Sequence, residues 1–247
     1  MIELGLLGIG VGVLSGFFGV GGGTILVPFL LLLGYDMKNA VGIAVVQMAF
    51  SSIFGSYLNK KKGTLNIPMV MALGIGGFTG ALGSPFIIAS LDEKVLEWIF
   101  FGFVLFALTK MYFKTVEDHQ KRVFVPSVIL FGIGVIVGML CISVGVGGSI
   151  LLTPILVGFL HVRLKEAISA GLFFVVFSSI SGLISLSLNG YVDYYHGVII
   201  GVASLFGVYG GILLKHKTQE KFQKRLLLLF YALVAIYLFY RLVVINE

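Results

Sequence analysis

One motif occurs twice in this chain and restricts its fold more than any other feature. Gly19-Val20-Gly21-Gly22-Gly23-Thr24-Ile25-Leu26-Val27-Pro28 returns 126 positions later as Gly145-Val146-Gly147-Gly148-Ser149-Ile150-Leu151-Leu152-Thr153-Pro154. Phe50-Ser51-Ser52-Ile53-Phe54-Gly55 returns 127 positions later as Phe177-Ser178-Ser179-Ile180-Ser181-Gly182. The halves therefore align with a single inserted residue, and each must build the same unit. Both copies of the glycine motif lie inside long apolar stretches, 4–33 and 127–160. A glycine-interrupted apolar segment at matching places in two halves is the sequence pointer to a binding site in a membrane transporter.

Composition puts those stretches in a bilayer. The chain is 58% hydrophobic and 11% charged, with mean hydropathy +1.09, whereas soluble domains carry about 25% charge. No basic n-region or small-residue cleavage site marks a signal peptide. A lone Cys141 excludes an intramolecular disulfide. The basic balance does not indicate nucleic acid, because the Lys and Arg residues sit in short connections between apolar runs and read as topology signals.

Six ordinary spans are predicted at about 40–58, 67–90, 96–113, 167–188, 196–214 and 224–244, each near the ~20 residues a bilayer requires. Each glycine stretch is either one more broken crossing or a re-entrant hairpin. The arms Leu4–Phe18 and Thr24–Leu33 would measure about 22 and 15 Å as helices, and the second is too short for a core of about 30 Å. Charge separates the alternatives. Eight simple spans divide the 17 basic residues 8 against 9. Two hairpins place Lys60, Lys61, Lys62, Lys110, Lys114, Lys121, Arg122, Arg163, Lys165, Lys215, Lys217, Lys221, Lys224 and Arg225 on one side, leaving Lys38, Lys94 and Arg241 opposite. The positive-inside rule prefers the second division.

The expected fold is therefore an all-α polytopic bundle of two inverted repeats, each a glycine-broken re-entrant segment plus three transmembrane helices. The repeats run over 1–115 and 126–247, joined by a cytoplasmic linker at 116–125. The protein is expected in the inner membrane of a prokaryotic cell with both termini outside.

Irregular backbone inside hydrocarbon is tolerated only where it is buried in protein or lines a cavity. Two breaks entering from opposite faces would meet near the midplane, with the second arms starting at Thr24 and Ser149. Free N–H groups and the positive dipole end of each arm would then face a cavity, an arrangement suited to an anion. Pro28 and Pro154 each free a carbonyl one turn earlier. The expected substrate-binding set is Gly21, Gly22, Gly23, Thr24, Gly147, Gly148 and Ser149, with Gln47, Ser51, Ser52, Ser178 and Ser179 supplying polar groups. The competing reading is that glycines and serines simply allow close helix packing. Asn59 reads as interfacial, and Cys141 as a space-filling residue.

No Asp, Glu, Lys or Arg falls mid-span, so an anion would be held by dipoles and hydroxyls without an intramembrane salt bridge. The glycine strings are not phosphate loops, since no Gly-Lys-Ser/Thr follows. Four scattered histidines and one cysteine supply neither a catalytic constellation nor a metal cluster, so no enzyme activity, metal or cofactor is expected.

On the duplicated glycine–proline motif, the Ala40–Gly42 and Ala167–Ser169 helix starts and the two-repeat architecture, the chain resembles the TauE/SafE family of membrane permeases along essentially its whole length. The resemblance implies transport of small sulfur-containing anions, sulfite or organosulfonates, often as export; the inverted repeats themselves point to alternating access by rocking of the halves. Two departures stand out: Ser149 replaces the third glycine, and Ile150 replaces Thr24, shifting the hydroxyl by one position. An anion channel on the same frame and a non-transporting scaffold are the rival readings. The partners implied are a small anion and the lipid bilayer, without nucleic acid; a homo-oligomer is compatible with the sequence.

Overall fold

The computed structural model describes residues 2–65, 67–113 and 125–245. Lys114, Lys121, Arg122 and nearly all of the expected 116–125 linker lie outside the described residues. Helices account for all the regular structure within them: α1 (Ile2–Phe18), α2 (Gly23–Leu32), α3 (Met37–Lys61), α4 (Ile67–Ala81), α5 (Ser84–Ser90), α6 (Glu93–Phe113), α7 (Ser127–Ser143), α8 (Ser149–Gly158), α9 (Leu164–Leu188), α10 (Tyr194–Lys217) and α11 (Glu220–Tyr240), the last continuing as a π-helical turn, Arg241–Ile245.

Five of these, α3, α6, α9, α10 and α11, are long and apolar enough to cross a membrane. The expected span over 67–90 is not one straight helix. It divides into α4 and α5, which meet at a 41° bend and make a sixth span if taken together. Gly83 and Ser84-Pro85 stand at the bend, where the proline ring clashes with a continuing helix and its missing N–H removes a ladder bond.

Glycine contacts hold the bundle together. Along α1, Gly8 lies against the backbone of Ile200, Gly12 against Ser204 and Gly16 against Val208 of α10. A Cβ at Gly16 would sit 2.5 Å from the Val208 carbonyl oxygen. The equivalent seam joins α4 to α7, with Gly76 on Phe131 and Gly134, and Gly138 on Gly77. Small residues four apart on one helix face let backbones approach closely where lipid provides no hydrophobic drive between helices. The packing reading of the chain's glycines is thus correct for α1, α4, α7 and α10. In both seams the paired helices run in the same direction, and each seam joins one half of the sequence to the other.

The long helices α3 and α9 form the centre. Ile43, Ala44, Val45, Met48, Leu172, Phe174 and Val175 are fully buried there. Outward faces carry Phe86, Phe113, Val128, Leu188 and Phe206, each at least 75% exposed, the pattern of helices whose outer solvent is lipid.

Candidate substrate site at the paired glycine breaks

Each glycine motif interrupts its helix pair in the middle of the bundle. Between α1 and α2, Gly19, Gly21 and Gly22 have φ of 66°, 75° and 76°. Between α7 and α8, Gly145, Gly147 and Gly148 have φ of 71°, 73° and 95°. L-residues with a Cβ resist this left-handed region, so the glycines are required by backbone conformation as well as by space.

The two breaks touch. A Cβ at Gly23 would overlap the carbonyl oxygen of Gly145, and one at Gly21 would lie 3.5 Å from the Ser149 hydroxyl. Gly21 and Gly147 both face Val175, and Gly147 also faces the Met48 sulfur. The neighbours obey the sequence duplication: Gly22 abuts the Gln47 carboxamide, while Gly148 abuts the ring of Phe174, which is Gln47 shifted by 127 positions. The site is therefore polar beside the first break and aromatic beside the second. No charged side chain stands among the near neighbours of these glycines.

All twelve expected site residues are buried, but they divide into engaged and idle groups. Thr24 donates to the Val20 carbonyl at 3.3 Å. Ser51 and Ser52 bond to carbonyls of their own helix, Met48 at 3.3 Å and Ala49 at 3.5 Å, as Ser179 does with Val176 at 3.4 Å. Ser178 reaches out of α9 and donates to the Gly147 carbonyl at 2.8 Å, tying the second break to the helix behind it. In contrast, both polar atoms of the Gln47 carboxamide and the Ser149 hydroxyl are buried without a hydrogen-bond partner. Neither α2 nor α8 has a side-chain cap at its N-terminus, so the orphan amides there are not closed off by a neighbouring side chain. The second arms begin at Gly23 and Ser149, one residue earlier than expected in the first copy.

Thr153 escaped the sequence reading. Its hydroxyl is also buried and unpartnered, and it flanks Gly171 together with the Ser149 Cβ. Its spacing of four from Ser149 was the available signal, since positions four apart share a helix face.

The structure adds detail at two places. Asn59, read as interfacial, stands in the last turn of α3 and is fully buried against other helices, with its Oδ1 accepting from the Lys215 ammonium. Charged groups are not confined to solvated loops. Lys215 is fully buried and Glu97 is 2% exposed, the latter accepting from Arg241 Nε at 3.1 Å. Both lie within one or two turns of a helix end, so window hydropathy reads them as loop residues. Cys141 is buried, as a space-filling residue should be.

Comparison with known proteins places the chain among membrane transporters. A family profile described as "Sulfite exporter TauE/SafE" matches residues 4–238. A probable membrane transporter protein of Bacillus subtilis is 24% identical over 209 residues, covering 81% of this chain and 84% of its own. One from Methanocaldococcus jannaschii is 25% identical, with 87% and 86% covered, and one from Haemophilus influenzae is 26% identical, with 75% and 73% covered. No solved structure matches the chain.

Proposed function

The chain belongs to the sulfite exporter TauE/SafE family of integral membrane transporters, and from that premise we propose that it carries a small sulfur oxyanion, sulfite or an organosulfonate, through a site at the two touching glycine breaks. The carrying observation is the pair of idle groups, the Gln47 carboxamide and the Ser149 hydroxyl, buried without partners. Unsatisfied buried polar atoms are rare, because each costs about 1–3 kcal/mol. A bound oxyanion would satisfy the Gln47 N–H groups, the Ser149 O–H and the uncapped amides at the starts of α2 and α8. With dipoles and neutral donors in place of a fixed cation, such a site favours release as much as capture.

We infer further that both glycine segments are re-entrant and that the halves are inverted repeats. Support comes from the contacts. α1 runs parallel to α10 toward Lys215, yet the end of α2, at the Leu31 carbonyl, receives Arg241 Nη1 at 2.9 Å from the far end of α11. In the other half α7 runs parallel to α4, while Phe159 at the end of α8 lies beneath the Lys110 ammonium at 4.5 Å. Each segment thus returns to the end of the bundle from which it started. The end with Lys60–Lys62, Lys110, Arg163, Lys165 and Lys215–Arg225 would be cytoplasmic by the positive-inside rule.

Uptake of labelled sulfite, sulfoacetate, sulfate and a carboxylate control into proteoliposomes tests this function. Saturable flux of a sulfur oxyanion with trans-stimulation is expected. Absence of flux from folded protein refutes the substrate assignment, and unitary currents would replace the carrier with a channel.

A further inference from the structure

We propose that the basic end of the bundle carries a second anion site, built from the buried Lys215 ammonium and the Asn59 carboxamide and closed by Ser169 and Thr64. It acts as an access station ahead of the glycine breaks, and it rests on the transport reading above.

Lys215 belongs to the last turns of α10 and is fully buried. Its Nζ donates to Asn59 Oδ1 and, at 3.0 Å, to Ser169 Oγ. Both partners are neutral, so the charge has hydrogen bonds but no carboxylate beside it. Burying an ammonium is costly unless an opposite charge accompanies it. An ammonium has three donors and two are in use. The Asn59 Nδ2 group is buried with no partner at all. With Lys215 protonated, the amide orientation follows, because only Oδ1 can accept from an ammonium. One cationic N–H and an idle amide thus occur on two bonded side chains, and a small oxyanion supplies both the missing acceptors and the missing charge.

A route to solvent adjoins them. Thr64 Oγ1 lies 2.9 Å from Ser169 Oγ, and Thr64 also lines a cleft of about 110 Å³ with Arg163, Lys165, Glu166 and Glu220. Glu166 holds Arg163 in an ion pair. Among the described residues the opposite end of the bundle has no equivalent of this Lys–Asn–Ser–Thr group. The positions matching Ser169 and Thr64 in the duplication are Gly42 and Tyr191, and there Gly42 packs directly on the Tyr191 carbonyl. At the basic end the position holds a hydroxyl bonded to a buried cation, whereas the matching position at the other end is filled by the Tyr191 backbone.

The competing structural role for Lys215 is to complement the C-terminal dipole of α3, where Asn59 and Lys61 sit. That role accounts for the ammonium but leaves the Asn59 amide idle, and it requires K215M to lose stability with no effect on anion response.

The test measures the melting temperature of purified full-length protein against sodium sulfate and sodium sulfite, with chloride at matched ionic strength as control. It uses the Q47L background, which removes the central amide. In Q47L both oxyanions should raise the melting temperature saturably, and Q47L/K215M should lose that rise while melting no lower than Q47L without anion. If K215M does not fold, K215Q replaces it with the same expectation for the anion response. An equal rise in Q47L and Q47L/K215M overturns the site, as does no rise in Q47L. In proteoliposomes, K215M on the native background should raise the KM for transported anion about tenfold. A Lys215-dependent rise without flux in the wild type would sink the transport reading and leave the station standing. Normal flux with an unchanged KM in K215M would sink the station alone.

Discussion

Gly23 and Gly145 abut across the centre of the bundle, the first at the start of α2 and the second with its carbonyl oxygen where a Cβ on Gly23 would project. This contact joins the two sequence halves at their breaks. The obstruction is backbone and cannot swing aside as a side-chain tip could. Gly23→Ala should therefore destabilise the protein by about 1–3 kcal/mol, the usual cost of overpacking, and reduce transport. Gly102→Ala on α6, with nothing within 4 Å of the added methyl, should leave both unchanged. Melting curves of the two variants side by side check this.

Gly148→Val meets a different obstacle: φ of 95° and the ring of Phe174. Gly22→Val meets φ of 76° and the Gln47 carboxamide. Both should abolish flux while a folded fraction survives, because the damage is confined to a single turn. Normal flux in either would remove the glycine breaks from the transport path.

Gln47→Leu separates function from stability. Its amide has no partner, so the leucine should melt at or above the wild-type temperature, an unsatisfied amide costing about 1–3 kcal/mol. Transport should fall by at least tenfold. A stable variant with full activity would show that the amide is a packing residue.

The serine pairs should not behave alike. Ser178→Ala removes the 2.8 Å bond to the Gly147 carbonyl and should cost about 1 kcal/mol, with slower transport. Ser51→Ala removes only a bond within α3 and should be near neutral. Equal effects from the two substitutions would contradict the asymmetry of the breaks.

A pH effect is expected at the start of α10. Burial raises the Asp193 pKa, but hydrogen bonds from His196, at 2.6 Å from Nδ1 and 3.1 Å from the backbone N–H, outweigh it and hold the carboxyl below its usual range. A carboxylate with a lowered folded pKa stabilises above its unfolded pKa and loses that contribution as pH falls through the folded value. Asp193→Asn should accordingly flatten the acid side of the stability profile. An unchanged acid limb would remove the pair from that role.

Much of the backbone geometry at the breaks was legible because its constraint is local. Gly19 to Gly23 and Gly145 to Gly148 announce left-handed backbone in apolar surroundings, duplication picked out the serines, and Gln47 stands one helical turn before Ser51. Thr153 and Lys215 were not legible in this way. Thr153 matters because its neighbour is Gly171 on another helix, and Lys215 because α3 and α9 bring Asn59 and Ser169 to it from 156 and 46 positions away.

The sequence by itself determined the membrane class, most of the helical elements, the places of the left-handed glycines and the family, since these depend on composition, periodicity and the permitted φ of individual residues, but not the division of the 67–90 span into α4 and α5. Only the tertiary structure decided which polar groups are idle and which are engaged. Ser51 and Ser178 occupy matching positions, yet one bonds its own helix and the other reaches the Gly147 carbonyl. Gln47 and Ser149 stand without partners although equally polar residues nearby are satisfied. Hydrogen-bond satisfaction depends on the groups that packing brings within about 3 Å, and those come from distant parts of the chain.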